Sequence, residues 1–225
     1  MIFLTLDPTK ARLLEAAGQE FAEKGYEGAT VRAICDRARV NLAAVNYHFG
    51  DKEMLYEQAV LEAHRCGPEL PPEAVPDLPP AEALRRHIHY FLTDVVAIRE
   101  TTWHHSLMLR EMVAPTKASE TLVREAIRPR VERLSGILRR ICPGADDQRI
   151  HALTFSVVGQ CLHYKLTKTI SERVVGAEAF ARLDLEYLTD HITQFTLAAL
   201  GLVPPIGAAG GPAGEARTSG REDRP

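Results

Sequence analysis

Residues 30–49 read TVRAICDRARVNLAAVNYHF, and this stretch predicts two short helices joined by a tight turn. Thr30 and Asn41 are residue types that favour helix N-caps, because their side-chain oxygens accept hydrogen bonds from free amides of the first turn. Ile34 and Val45 are apolar positions through which the two helices can pack against each other. The pattern is that of a helix-turn-helix whose second helix turns small and polar side chains outward.

The second helix of this pair has side chains that suit the major groove of DNA, which is about 12 Å wide and admits one α-helix. Ala43 and Ala44 are small enough to let the helix backbone approach the bases. Asn46 and Tyr47 stand where they can reach base edges or thymine methyl groups. This helix is therefore predicted to read a DNA sequence.

Phosphate contacts are predicted around the base-reading helix. Thr30 lies at the amide end of the first helix, which favours anions, and His48 and Lys52 lie at the far end of the second. Residues 30–52 include four basic and two acidic residues, whereas the whole chain has a net charge of −3, so positive charge is concentrated here. The predicted DNA contacts are Thr30, Arg32, Arg39, Asn41, Ala43, Ala44, Asn46, Tyr47, His48 and Lys52.

The composition is that of a globular protein, with 45% hydrophobic and 25% charged residues. No stretch approaches the roughly 18 apolar residues that a membrane span needs. The apolar start, Met1–Leu4, lacks the positive charge of a signal peptide. The four cysteines form no C-x-x-C pair and match no zinc spacing, which fits a reducing compartment. We expect a cytoplasmic protein with no membrane partner.

Hydrophobic periodicity predicts helices throughout and no strand, so the fold class is all-α, with about nine helices. A proline-rich linker is predicted to separate an N-terminal domain, built on a three-helix helix-turn-helix unit, from a larger helical domain. The predicted boundaries are 8–66 for the DNA-binding domain, 67–80 for the linker, 81–202 for the ligand-binding and dimerisation domain, and 203–225 for a disordered tail.

Two long helices of the second domain can be placed from their apolar positions. Apolar residues at near-heptad spacing from Ile127 to Ile141 predict one helix, which Pro129 is expected to kink near its start. A second apolar series, from Phe180 to Ala199, predicts the last helix of the domain.

Three motifs of the first domain resemble those of the TetR/AcrR family of bacterial repressors. They are FAEKGY at 21–26, TVRAI at 30–34 and YHFGDKEMLY at 47–56. Two more segments, NLAAVNYHFG at 41–50 and REMVAPT at 110–116, look more narrowly like the CecR (YbiH-like) branch. The resemblance implies a DNA-binding repressor released by a small molecule, which is not an enzyme and needs no cofactor.

The turn between the two short helices departs from the family pattern. Arg39 stands where the family usually has glycine. A non-glycine residue in the left-handed conformation that such a turn often needs costs about 1 kcal/mol or more. Arg39 is predicted either to tolerate this conformation or to sit in a slightly different turn, and it can serve as an extra phosphate contact.

The resemblance also implies a homodimer. In such proteins the eighth and ninth helices, here about 146–166 and 179–200, form a four-helix interface between the two subunits. A two-fold dimer places its recognition helices about 34 Å apart, one turn of DNA, on a palindromic double-stranded operator.

An inducer pocket is implied inside the second domain, and a ligand there can act only by favouring the state that cannot bind DNA. Trp103 beside His104 suits an apolar ligand with one polar group. The candidate lining residues are Phe91, Val95, Trp103, His104, Leu107, Met108, Arg110, Glu111, Phe155 and Tyr164.

The nine histidines suggest alternatives from another class, a metal-sensing repressor or a metal-dependent helical enzyme. The tightest clusters are His87-x-His89 and His104-His105. Adjacent and i,i+2 residues point away from each other on a helix, unlike the i,i+4 histidine pair of a zinc protease. We therefore predict no metal site. Activation in place of repression stays open at the level of sequence.

Overall fold

The computed structural model describes residues 7–65, 78–97 and 103–205, and within these residues the chain is helical, with no strand. The predicted all-α fold is therefore confirmed. The first helices are α1 (Pro8–Gly28), α2 (Val31–Ala38), α3 (Leu42–His48) and α4 (Lys52–Arg65). The others are α5 (Pro80–Ala97), α6 (Trp103–Val113), α7 (Ala118–Leu122), a π-helical turn (Val123–Ile127), α8 (Arg128–Ile141), α9 (Asp147–Leu166), α10 (Lys168–Val175), α11 (Ala177–Ala181) and α12 (Leu185–Ala199).

Polar N-caps begin the helices of the first domain. Four cap side chains accept hydrogen bonds from first-turn amides, those of Asp7, Thr30, Asn41 and Asp51. Thr30 accepts from the amide of Ala33 at 3.2 Å, and Asn41 accepts from that of Ala44 at 3.0 Å. The two helix starts predicted from the sequence are thus confirmed.

The segment before Ile141 differs from the single kinked helix that the sequence predicts. It is divided into α7, the π-helical turn that contains Ile127, and α8. Pro129 lies in the first turn of α8, directly after the π-helical turn, and the backbone stays in the right-handed helical region through Ile127 and Arg128. The helical run therefore continues from α7 into α8, with the change of hydrogen-bond pattern just before the proline.

The last predicted helix is also shorter than its apolar pattern suggests. Phe180 lies on the separate short helix α11. The last helix, α12, begins only at Leu185, and its N-cap Asp184 accepts a hydrogen bond of 2.8 Å from the amide of Tyr187. The apolar spacing did not predict this break, because the residues on either side of it continue a helical period.

Two predicted segments lie largely outside the described residues. The predicted linker at 67–80 does so up to position 77, and the predicted tail at 203–225 does so from position 206.

The helices bury two separate apolar cores. The first is built by α1 to α4 together with α6 and α7, and it includes Phe21, Ile34, Leu55, Trp103 and Leu107. Two helices from beyond the predicted linker thus complete the core of the DNA-binding domain. The second core lies among α5, α8, α9 and α12. None of the described helices is long and apolar enough to cross a membrane.

Trp103 joins α6 to α1 through a close contact with Gly18. A Cβ atom at Gly18 would overlap the six-membered ring of Trp103. The indole Nε1 donates a hydrogen bond to Glu15 Oε2 at 2.8 Å, one turn earlier on α1. Glycine is therefore required here for packing and not for its backbone freedom, because Gly18 lies within a regular stretch of helix.

We predict that Gly18→Ala lowers the free energy of unfolding by about 1–3 kcal/mol, because the added methyl group has to displace Trp103. Chemical denaturation of the purified protein measures the change. Gly136→Ala is the matched control, since Gly136 lies inside α8 with nothing within 4 Å of an added Cβ. The control should gain about 0.5–1 kcal/mol from helix propensity. Equal effects of the two substitutions would contradict the packing role of Gly18.

Candidate functional site

The helix-turn-helix is held by a few buried apolar side chains and turns its other side to solvent. Ile34 of α2 and Val45 of α3 are fully buried, and Phe49 closes the end of α3. On the outer side Asn46 is exposed and Tyr47 is 84% exposed. A large aromatic side chain that is left so exposed on a short helix suits contact with a partner, and the sequence predicts that this partner is the base edges of a DNA groove.

Arg37 holds α2 against α1. Its guanidinium makes two hydrogen bonds of 2.8 Å to the carboxylate of Glu23 and lies 3.1 Å from the buried carboxylate of Glu20. The hydrogen bond from Arg37 lowers the pKa of Glu23. The charge of Arg37 is thus neutralised within the fold, and positive charge at the exposed face comes from residues such as Arg32 and Arg39.

Arg39 adopts the left-handed conformation, with φ 55° and ψ 50°. Its backbone N–H donates to the carbonyl of Asp36 at 3.3 Å and so closes the end of α2. The side chain of Arg39 is exposed and lies close in sequence to α3, the helix that is predicted to read DNA and is called the recognition helix below. The chain therefore keeps a strained arginine at this turn where glycine would be free of strain.

The other predicted DNA contacts lie around α3 in different degrees of exposure. Thr30, Arg32, Asn41 and Ala43 are exposed, whereas Ala44 and His48 are half-buried. The imidazole Nε2 of His48 lies 3.9 Å from Asp7 Oδ2. Lys52 is half-buried too, with its ammonium nitrogen 4.5 Å from the centroid of the Tyr26 ring.

Lys10 is a basic residue near α3 that sequence reasoning missed. Its ammonium nitrogen lies 5.6 Å from the centre of the Phe49 ring, which puts a positive charge beside the end of α3. The sequence signal is weak, because Lys10 is 37 positions before Tyr47 and only the packing of α1 brings it close. Lys10, in the first turn of α1, could have been predicted to lie near α3 only from the tertiary fold.

The second predicted site, the ligand pocket, needs correction at seven residues, five of which lie on α6. Trp103, His104, Leu107, Arg110 and Glu111 were predicted to line it. They lie instead where α6 meets α1 and α4, because the α6 face that carries them turns toward the first core. The indole of Trp103 contacts α1, and the imidazole of His104 stacks on it with ring centres 3.7 Å apart.

Arg110 and Glu111 make the polar contacts of this junction. Arg110 donates to the carbonyls of Ala22 at 2.8 Å and of Glu23 at 3.0 Å, just before Gly25 interrupts α1 with φ 74°. The buried carboxylate of Glu111 accepts a hydrogen bond of 2.8 Å from the hydroxyl of Tyr56 on α4.

The amide of Thr116 also donates to Glu111, at 2.8 Å. Burial and the hydrogen bond to Glu111 raise the pKa of Tyr56. Side chains from α6 therefore bind both α1 and α4, the two helices that support the helix-turn-helix.

A cavity of about 150 Å³ lies behind α6, among α4, α5, α8 and α9. Phe91 and Met108, two of the predicted lining residues, line it. Phe155 is 62% exposed on α9, and Tyr164 packs against the second core. The side chain of Val95 lies outside the described residues. The cavity is lined by Ala63, His64, His87, Phe91, His105, Met108, Leu109, Met112, Ile127, Arg130, Val131, Val158, Leu162 and Leu166.

The two histidine clusters of the sequence separate in the fold. His87 is buried at the cavity, whereas His89 faces α12, with Nδ1 3.3 Å from Glu186 Oε1. His104 stacks on the indole at the junction, and His105 lines the cavity. Among the residues that the structure describes, no group of three or more His, Cys, Asp or Glu side chains is placed to hold a metal ion.

Comparison with known proteins agrees with this arrangement. A family model described as bacterial regulatory proteins of the tetR family matches residues 13–59. A model of the C-terminal domain of the HTH-type transcriptional dual regulator CecR matches residues 80–200, more than half of the chain. The fold and the exposed recognition helix define a DNA-binding transcription regulator, and the chain belongs to the TetR family. Within that family it is a regulator of the CecR type.

Similar proteins are transcription regulators and not enzymes. CecR of Shigella flexneri is 27% identical over 199 residues, which cover 83% of this chain and 89% of that protein. The repressor AcnR of Corynebacterium glutamicum is 49% identical over 51 residues, 22% of this chain and 27% of AcnR. A crystal structure of a HlyIIR linker mutant is 26% identical with a TM-score of 0.55, over 73% of this chain and 88% of HlyIIR.

We predict that Arg39→Gly separates stability from DNA binding. Glycine removes the left-handed strain, so the free energy of unfolding should stay equal or rise by up to about 1 kcal/mol. The loss of one exposed charge should weaken binding to all DNA sequences alike and reduce the salt slope by about one unit. Fluorescence anisotropy at several salt concentrations measures the slope. A loss confined to one DNA sequence would contradict a phosphate role for Arg39.

Proposed function

We propose that the protein is a homodimeric repressor that binds a palindromic operator and is released by a small molecule. The exposed recognition helix carries this proposal, above all Tyr47 with 84% of its side chain accessible. Asn46 and Ala43 lie on the same helix and are also exposed. Lys10, Arg32 and Arg39 then supply the phosphate contacts that set the helix in the groove.

Exposed side chains on α9 and α12 support the homodimer. On α9, Phe155 is 62% exposed and stands among small exposed residues, including Ser156 and Gly159. On α12, Tyr187 is 54% exposed and Phe195 is 50% exposed. Small residues beside large apolar ones allow two helix pairs to approach closely, and exposed aromatic side chains are typical of an interface core.

The arrangement of α6 supports release by a ligand. Met108 and Leu109 face the cavity, whereas Leu107 and Arg110 face the first core, where α1 and α4 support the helix-turn-helix. A ligand that fits a widened cavity better than the closed one shifts α6, and with it α1 and α4. Its differential affinity for the two shapes supplies the coupling free energy.

Two relatives favour different directions of regulation. AcnR is named a repressor, whereas CecR, which matches most of this chain, is named a dual regulator. Activation at some promoters is therefore a second candidate function. The position of the protein's DNA footprint relative to each promoter distinguishes repression from activation. We propose that either activity takes place in the bacterial cytoplasm, where the chromosome lies.

We predict that Tyr47→Ala weakens operator binding by about 1–3 kcal/mol, because the side chain that reaches the bases is removed while the fold is untouched. The operator is first obtained by selection from random duplexes with the purified protein, and affinity is then measured by gel-shift titration. Tyr47→Phe is the matched control, which keeps the ring and loses only the hydroxyl. Unchanged affinity of Tyr47→Ala would show that α3 is not the reading helix.

We predict that Phe155→Arg converts the protein to a monomer, because like charges would then face each other across the two-fold axis of the proposed interface. Light scattering measures the mass in solution, and circular dichroism checks that the helices are intact. Val113→Arg is the control, since Val113 is 83% exposed at the end of α6, away from α9 and α12. A dimeric Phe155→Arg protein would place the interface elsewhere.

A further inference from the structure

We propose that α3 specifies A·T base pairs, with Leu42 against thymine methyl groups and Asn46 on adenine. The inference rests on the proposed function, in which α3 reads the bases of an operator. It adds the class of base pair that this helix can specify. It also adds Leu42, which was not among the predicted DNA contacts, as a side chain that determines specificity.

Four side chains form the exposed face of α3, namely Leu42, Ala43, Asn46 and Tyr47. They fall at positions i, i+1, i+4 and i+5, so they share one side of the helix. Leu42 is 54% exposed. More than half of this leucine is therefore left outside the core, where the fold gains little from an apolar side chain and a bound partner can gain more.

The recognition helix carries no charged group that suits a G·C pair. Its seven residues, all within the described part of the chain, read LAAVNYH and include no Arg, Lys, Asp, Glu or Gln. Guanine is read mainly by the paired donors of arginine or lysine, and cytosine by a carboxylate. His48 is half-buried, with its Nε2 atom 3.9 Å from Asp7 Oδ2. The basic residues close to α3, including Arg32 and Arg39, lie outside it, on α2 and at the end of α2.

The exposed apolar groups of α3 match thymine, which is the base whose major-groove edge carries a methyl group. A G·C pair in the same place would turn guanine O6 and the amino group of cytosine toward Leu42 and Ala43. These polar atoms would lose water and gain no hydrogen bond, which is unfavourable. Apolar side chains therefore favour thymine and also disfavour a G·C pair.

Asn46 adds a polar contact of the same specificity. Its side-chain amide has a donor and an acceptor side by side, which match the N7 acceptor and the N6 amino group of adenine. Asn46 is exposed and lies one turn after Leu42. The apolar and the polar contacts of this face therefore select the same kind of base pair.

Leu42 is tested on the operator selected from random duplexes with the full-length protein, with deoxyuridine placed at each thymine in turn. Deoxyuridine keeps the base pair and lacks only the methyl group. We expect binding to weaken about fourfold at one or more thymines of each half-site, which corresponds to about one buried methyl group. Leu42→Ala should remove this dependence. Val113→Ala is the control that should keep it, since Val113 is exposed at the end of α6.

Asn46 is tested with 7-deazaadenine, which lacks the N7 acceptor, at each adenine of the same operator. We expect a loss of about fivefold or more at one adenine of each half-site, and no such loss in Asn46→Ala. Leu42→Ala and Asn46→Ala should both keep the wild-type affinity for random DNA, which depends on phosphate contacts. This measurement shows that the variants are folded.

The outcomes separate this inference from the proposed function. G·C pairs at the positions where Leu42→Ala and Asn46→Ala relax the selection would overturn the inference and leave operator binding standing. A preference for A·T pairs that deoxyuridine does not weaken would overturn the role of Leu42, because groove shape would then be read instead of the methyl group. Selection of no duplex above random DNA would overturn the proposed function, and the inference with it.

Discussion

The close packing of Trp103 on Gly18 is the contact on which the arrangement of the whole molecule depends. The indole fits directly on α1 only because Gly18 has no side chain. This fit draws α6 into the first core and brings Arg110 to the carbonyls of Ala22 and Glu23. The first core is therefore not built from α1 to α4 alone. It is completed by a helix that also forms one wall of the cavity.

A junction of this kind transmits displacement because its polar groups cannot slip past each other. Glu111 is a buried carboxylate, and it is satisfied only while Tyr56 and Thr116 stay in place. A shift of α6 relative to α4 that broke the bond between Tyr56 and Glu111 would leave buried polar atoms without this partner, which is unfavourable. In the proposed release by a ligand, α4 and α1 therefore move together with α6. Packed cores respond to such displacement in discrete steps and not by gradual deformation.

The parts of the structure that could be predicted from the sequence are those set by short-range rules. The caps Thr30 and Asn41 and the buried Val45 follow from local residue chemistry. The placement of Trp103 could not be predicted in this way, because its partner Gly18 is 85 positions away. Resemblance to a family gives the region of a pocket, whereas tertiary packing decides which face of a helix lines it.

The chain breaks local rules at several described positions, among them Arg39 at the end of α2 and His87 at the cavity. Arg39 is strained where glycine would be relaxed, and the strain keeps an arginine beside the recognition helix. His87 leaves a polar atom unpaired where leucine would pack without cost. Natural sequences violate such rules mainly at functional sites and compensate for them elsewhere. Between these two positions lie α6 and the Glu111–Tyr56 bond, so an isolated N-terminal fragment would lack both the cavity wall and part of its own core.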